Sequence, residues 1–303
     1  MDTDVTALVK RLTRELDNFR DIAKYILPTP GEVPRVEGID VFGGSLPLAG
    51  SAGGDHIMYI DFKQRYDLDA RIARAQKDGR PDVVAELERC RRKAGIAVVD
   101  VAGHRMTDAL LAAMLHQAFL LGALYELDTL GRISRRLFEN LNTRFYQSSG
   151  MHKFVSVFYG EISEDATFRF LSAGAPVPAV FSSQHDRFMD VDQGSRLSFP
   201  PLGMLPSFNV IDRSTTSSVL GFKERYEMNE WKLMGRGVVP LLHTDGLSDH
   251  RGPRGDYFPG PLEQTLRANK HLGARQIFEA IRKDVLAFAE PSDDVSVVVI
   301  KLL

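Results

Sequence analysis

Apolar residues near the start of the chain fall at Val5, Val9, Leu12, Leu16, Phe19, Ala23 and Ile26. These alternating steps of four and three describe a heptad seam on a charged helix. Such a stripe needs a covering surface: either the helix packs on its own domain, or it acts as a dimerisation or regulatory helix. Pro28, Pro30 and Pro34 end it and mark an extended linker, because proline cannot continue the helical hydrogen-bond ladder. Strand-like patterning follows at residues 38–49 and, after a glycine-rich turn, at 56–62. Residues 66–94 are highly charged with isolated apolar spots and are split by Gly79-Arg80-Pro81, which predicts a solvated helical hairpin inserted into the domain.

Farther along, a strand at 95–104 precedes an apolar helix from Thr107 and an amphipathic helix around 132–146. The run Ala109–Tyr125 is slightly short for a membrane span and carries His116 and Gln117 in its middle, so it reads as a helix buried inside the protein. Strands fit 154–162, 167–173, 177–183, 226–233 and the apolar run closing at Thr244-Asp245-Gly246. Helices from Leu262 and over Ala274–Ala289 precede a last strand at 296–303. Strands come first and last with helices between, without regular alternation, so a doubly wound parallel sheet is disfavoured and the class is α+β.

The composition leaves that picture standing and narrows the partners. A chain of 303 residues with 44% apolar positions holds one large domain or two small ones with a substantial core. The formal charge of -2 arises from 38 basic and 40 acidic residues without a large block of one sign, which argues against nucleic acid and against a polybasic membrane contact. A small anion or another protein fits better. The one cysteine, Cys90, cannot form an intramolecular disulfide, and the acidic start Met1-Asp2-Thr3-Asp4 lacks the features of a secretory signal. Both readings point to a reducing cytoplasm, with no membrane insertion.

Four aspartates stand where apolar strands begin or stop: Asp55 in "GGDH", Asp100 in "VVDVAGH", Asp245 in "HTDGL" and Asp293 in "PSDDVSVVV". Each alone is ordinary turn and cap chemistry. Together, four carboxylates at the mouths of strands would repel one another unless a cation neutralised them. Carboxylate and carbonyl oxygens are hard ligands that suit magnesium or manganese, and the chain has neither an HExxH helix nor paired CxxC for zinc. It also lacks a GxxxxGK[ST] loop and a GxSxG elbow, while backbone amides around Gly53 and Gly54 could still meet a phosphate.

The strings "LPTPGEVPRVEGIDV", "GGDHIMYIDF", "VVDVAGHRMTDALLAAML", "FVSVFYGEI", "FLSAGAPVPAVF", "PLGMLP", "LLHTDGLSDH" and "SDDVSVVVIKLL" occur in this order from about residue 27 to the C-terminus. In that ordered set the chain resembles the SpoIIE/RsbU group of metal-dependent PPM serine/threonine phosphatases, relatives of protein phosphatase 2C. The resemblance implies a four-layer α-β-β-α sandwich: two antiparallel sheets flanked by helices, with two divalent cations, Mn2+ or Mg2+, at one edge. It divides the chain into an N-terminal amphipathic helix, 1–27, and a phosphatase domain, 28–303, carrying the insertion at 66–94. Asp55 then matches a ligand of the second metal and Asp100 the bridging aspartate, while Asp245 and Asp293 match ligands of the first metal. The carbonyl of Val101 is a further candidate ligand, although this group's motif has two extra residues between the aspartate and its Gly-His pair.

The same resemblance implies hydrolysis of phosphoserine or phosphothreonine by a water that the two metals activate, with His104 as acid for the leaving oxygen. Helping to cap the helix that begins near Thr107 is the other reading of His104, and Asp294 is a helper rather than a ligand. The implied substrate is a phosphorylated protein, in this group a STAS-domain anti-sigma-factor antagonist, which places the chain in bacterial partner switching. The chain departs from the family at Arg105, where glycine is usual, at Ala175, where the histidine of an "AGH" motif stands, and at Ser51 in place of an acidic residue. Residues 207–224 are longer than the corresponding family segment. Arg105 also supports an alternative: a catalytically weak or inactive module of the same fold that binds a protein partner through its N-terminal helix.

Overall fold

Strand parity decides how the layers stack. In the computed structural model, alternate residues of the strand Lys93–Val101 enter different apolar clusters: Ile96 and Val98 join one, Ala97, Val99 and Val101 another. The structure describes residues 2–24, 33–48, 53–103, 106–148, 153–190, 197–208, 212, 220–232 and 235–303. Most of the expected proline linker therefore lies outside the described residues.

In chain order the elements are α1 (Asp2–Lys24), β1 (Ile39–Leu46), β2 (His56–Asp61), α2 (Phe62–Arg65), α3 (Leu68–Lys77), α4 (Pro81–Cys90), β3 (Lys93–Val101), α5 (Met106–Leu130) and α6 (Arg135–Ser148). There follow β4 (Val155–Ser163), β5 (Thr167–Ala173), β6 (Ala179–Ser182), β7 (Arg187–Phe188), β8 (Ser198–Phe199), β9 (Asn229–Lys232) and β10 (Val238–His243). The chain closes with α7 (Asp245–Ser248), β11 (Arg251–Gly252), β12 (Gly255–Asp256), α8 (Gly260–Asn269), α9 (Ala274–Phe288) and β13 (Val295–Leu302).

One sheet has the order β1-β13-β10-β6-β7 and is antiparallel throughout. The other runs β2-β3-β4-β5, with β8 and β9 sharing the outer edge of β5, and β5–β8 is its short parallel pair. Between the sheets lie Val41, Tyr59, Ile96, Val98, Phe158, Phe168, Phe170, Leu242, Val298 and Ile300. The outer face of the first sheet packs on α8 and α9 through Val239, Val297, Leu266, Ile277 and Ile281. The outer face of the second packs on α3 to α6 through Met58, Val99, Leu87, Phe119 and Phe138. Helix, sheet, sheet, helix is the expected four-layer sandwich.

The hairpin at 66–94 is not simply solvated, which corrects the reading of its charge. Leu68, Ile72 and Ala75 on α3, with Val83, Leu87 and Cys90 on α4, are buried in the same cluster as α5. Three apolar residues at steps of three and four are enough to seat each helix, whatever the charge on its other side. Cys90 is fully buried, and burial pushes its thiol up to about 12. The helix α5 is long and apolar enough to cross a membrane by length and composition, but here Leu115, Phe119, Ala123 and Leu127 bury one of its faces in the core.

One buried ion pair closes the sheet end remote from Asp100. Lys93 Nζ donates to Glu161 Oε2 at 2.7 Å, and their side chains are 9% and 3% exposed. Burial alone would raise the Glu161 carboxyl, but Lys93 and Arg169 outweigh it and hold the group below its ordinary value. Because the folded value is depressed, this contribution is present above the carboxylate range and is lost as pH falls through it. Lys93→Met leaves the buried carboxylate with only Arg169, 3.8 Å away, and the Tyr159 hydroxyl, and should cost about 1–3 kcal/mol at pH 7, less than the full cost of an orphaned buried charge. Urea denaturation should show the deficit shrinking as the pH is lowered from neutral into the carboxylate range, because Glu161 takes up a proton more readily in the variant; a deficit independent of pH would contradict this account.

Candidate functional site

Strand direction brings the candidate aspartates to one rim. The start of β2 lies beside the end of β3, with His56 opposite Val99, and the end of β10 lies beside the start of β13, with His243 opposite Val297. Asp55 therefore precedes β2, Asp100 is the next-to-last residue of β3, Asp245 opens α7 just beyond β10, and Asp293 stands two residues before β13. An apolar run delivers Asp245 to its end because the paired β10 fixes the backbone on which that carboxylate stands.

Asp55 is buried at 5% exposure, and its Oδ2 accepts a hydrogen bond of 2.8 Å from Thr244 Oγ1. The same hydroxyl accepts from Ser296 N at 3.0 Å, and Ser296 Oγ lies 2.6 Å from Ser45 Oγ. A polar chain of hydroxyls and one backbone amide thus runs from the exposed Ser45 on the first sheet to the buried Asp55 on the second. Burial raises the Asp55 carboxyl well above its usual range; the Asp100 charge adds to the rise, hydrogen bonds from Thr244 and Ser296 oppose it, and Asp294 raises it further.

The doublet Asp293-Asp294 divides its labour. Asp294 is buried, and its two oxygens accept from Leu48 N at 2.6 Å and from Gly54 N at 2.7 Å, which pins the ends of the glycine-rich turn before Asp55. Its own N–H donates to Asp293 Oδ1 at 2.6 Å, and Asp293 is half-buried. Gly246 after Asp245 is required by close approach: a Cβ there would collide with the carbonyl of Asp294. At Gly54 a Cβ would lie 2.7 Å from the carbonyl oxygen of Val101 and 2.6 Å from that of Gly103, so two backbone oxygens face that glycine.

Asp100 and Asp245 line one narrow pocket with Ser156, Ala175, His243 and Thr244. Asp100 and Asp294 are both near enough to Asp55 to raise its proton affinity. Among the described residues, no three His, Cys, Asp or Glu side chains converge as a finished metal-binding group. The donor chemistry nonetheless fits a hard divalent cation. Its oxygens are carboxylate and carbonyl, and the buried Asp55 charge is disfavoured by its neighbours in the manner a cation relieves. His104, Arg105 and Ser51 lie outside the described residues.

Sequence patterns missed Thr244 and Ser296 as partners of Asp55, and also a histidine pair behind it. His56 Nε2 and His116 Nδ1 are 2.6 Å apart, joining β2 to α5 directly after Asp55. Burial and then His116 lower His56 to about 3, while burial and then Arg65 lower His116 to about 4. Both imidazoles are neutral near pH 7, so one donates and the other accepts. The histidine inside an apolar helix was the only local signal.

The SiaA-PP2C domain of Pseudomonas aeruginosa shares this fold with a TM-score of 0.63 at 16% identity, over 97% of this chain and 98% of that one. The RsbU and RsbW domains of Rv1364c from Mycobacterium tuberculosis match with a TM-score of 0.60 at 18% identity, over 90% of this chain and 64% of theirs. The PP2C phosphatase domain and regulatory-domain fragment of SpoIIE from Bacillus subtilis give 0.59 at 14% identity, over 87% and 63%. The chain thus spans less than two thirds of the last two, and at these identities the likeness is one of fold. No curated protein matches the chain. Residues 91–303, well over half of the sequence, match the family model of Stage II sporulation protein E (SpoIIE), and the chain belongs to that family of PP2C-like phosphatase domains.

Proposed function

We propose that the chain is a metal-dependent protein phosphatase that hydrolyses phosphoserine or phosphothreonine. The observation that carries this reading is the gathering of the Asp55, Asp100 and Asp294 charges, with the Val101 and Gly103 carbonyls, at one rim of a PP2C-type sandwich. Asp55, Asp100, Asp245 and Asp293, with the carbonyl of Val101, would hold two divalent cations, Mn2+ or Mg2+. When bound, those cations supply positive charge against the phosphoryl oxygens and activate a water for attack on phosphorus.

The chain's own residues do the positioning. Thr244 orients Asp55 through its hydroxyl, and Asp294 holds the turn that carries Gly54 through two backbone amides. His104 is assigned to protonate the serine or threonine oxygen as it leaves, an assignment resting on the motif alone. Membership of the SpoIIE family and the RsbU-type fold relative support a phosphorylated protein as substrate, with a STAS-domain anti-sigma-factor antagonist in cytoplasmic partner switching as the specific reading.

Asp245→Asn removes one carboxylate charge and keeps the shape. Manganese-dependent hydrolysis of p-nitrophenyl phosphate and of a phosphoserine protein should fall by more than the roughly 10–100-fold that loss of an outer partner of a metal site costs. Turnover at the wild-type level in a folded Asp245→Asn protein would sink the reading, and chelator should abolish activity in the wild type.

A homodimer through α1 belongs to the same proposal. Val5, Val9 and Leu12 are 58%, 55% and 54% exposed, so the chain's own domain leaves the first part of the heptad stripe uncovered. A second copy of the helix fits that spacing. The double substitution Val9→Glu, Leu12→Glu should halve the mass measured by light scattering; a wild type already monomeric at micromolar concentration would remove the dimer from the proposal.

A further inference from the structure

The ammonium of Lys153 sits where three elements meet beside the rim. Its Nζ donates to the carbonyl of Ala102 at 2.9 Å and pairs with the carboxylate of Asp108. Asp108 lies in the first turn of α5 and its side chain is fully buried, whereas that of Lys153 is 32% exposed. From the neighbouring residue, the carbonyl of Phe154 accepts the N–H of Ala102 at 3.3 Å. Ala102 is therefore gripped through both of its backbone polar groups by residues 153 and 154.

That grip fixes the turn following Asp100. On either side of Ala102, the carbonyls of Val101 and Gly103 both face Gly54, and Val101 N donates to Gly54 O at 3.3 Å. The strand ends at Val101, which is paired with Val155, and α5 begins at Met106, so Ala102 and Gly103 are the described residues of the turn that no strand or helix holds. A buried carboxylate strongly favours a neighbouring cation, so the Asp108 charge holds the lysine in place while the lysine holds the peptide.

We propose that Lys153, with Asp108, is a positioning residue of the metal site, an ion-pair latch that keeps the Val101 carbonyl aimed at the rim. The inference rests on the phosphatase reading, which supplies the cation to be positioned. Lys153 acts through the backbone and touches neither substrate nor metal. The latch also couples the first turn of α5 to the turn after Asp100, so displacing the helix start would displace the carbonyl.

The test uses the full chain and Mn2+ alone as the probe. Isothermal titration calorimetry and the Mn2+-induced rise in unfolding temperature are measured for the wild type, Lys153→Met, Lys153→Arg and Asp108→Asn. Lys153→Met and Asp108→Asn should weaken Mn2+ binding by about 10-fold or more, as for lost outer partners of metal ligands. Lys153→Arg, which keeps the charge, should recover most of it. At saturating Mn2+ the KM for p-nitrophenyl phosphate should stay at the wild-type value in all of them. If Lys153→Met fails to fold, Lys153→Arg and Asp108→Asn carry the comparison. Wild-type Mn2+ affinity in Lys153→Met and Asp108→Asn overturns the latch and leaves the phosphatase standing, as does a raised KM at unchanged affinity, which would make Lys153 a substrate contact. A wild type that binds no Mn2+ overturns the phosphatase reading and the latch together.

Discussion

Negative oxygens held at the open end of an apolar sandwich are the constraint from which the rest of the site follows. Asp55 is buried beside the charges of Asp100 and Asp294, and both burial and the neighbouring charges oppose its ionisation. The folded chain answers with donors. Thr244 gives its hydroxyl proton to Asp55 while its oxygen accepts from Ser296, and Asp294 takes two backbone amides. Each of these bonds joins different segments, so the groups that steady the carboxylates also fasten the two sheets at the rim. Between the sheets the contact is apolar, made by aromatic and branched side chains such as Phe158, Phe170, Val298 and Ile300. The polar rim and the apolar interior thus form one continuous interface, and the orientation of the aspartates is tied to how the sheets pack.

Strand pairing explains why these residues stand together although they are far apart in the chain. Antiparallel neighbours place one strand's start beside the next strand's end, so a loop at either position opens on the same edge. The pairs β2–β3 and β10–β13 both have their Asp-bearing termini at that edge. Close approach then sets which residues can accompany them. The carbonyl of Asp294 presses on Gly246, and the carbonyls of Val101 and Gly103 press on Gly54, so in both places a side chain would displace backbone at the rim.

Much of this was legible in the sequence, because apolar alternation marks strands and an aspartate that interrupts it stands out. The strands over Ile39–Leu46, Val155–Ser163, Thr167–Ala173 and Val295–Leu302, and the ends occupied by Asp55, Asp100 and Asp245, were of that kind. The two-residue strands at Arg187, Ser198, Arg251 and Gly255 were not, since so short a segment carries no period. The hairpin over Leu68–Cys90 was misjudged because charge dominates its composition, while three buried positions on each helix decide its place. Which of Asp293 and Asp294 turns inward is likewise set by distant amides at Leu48 and Gly54, and the pairing of Lys153 with Asp108 joins residues that no local pattern connects.

A rim of this kind links ligand binding to stability. A carboxylate such as Asp55, whose proton affinity is raised by burial and by neighbouring charge, disfavours the folded state in its charged form, and any species that neutralises it only in the folded chain stabilises that state. The hydrogen bonds of Thr244 and Ser296 limit the opposition to the Asp55 charge without abolishing it, because hydrogen bonds redistribute the charge and do not cancel it. What remains is a buried Asp55 charge opposed by its neighbours at the end of a rigid sandwich, and rigidity matters because the strands cannot splay to relieve it. On the proposed reading a cation meets that opposition, and the segments most able to modulate it are those outside the sheets. The turn after Asp100, clasped to the first turn of α5 by Lys153 and Asp108, is such a segment, which makes the helical layer a physically direct place from which to alter the site.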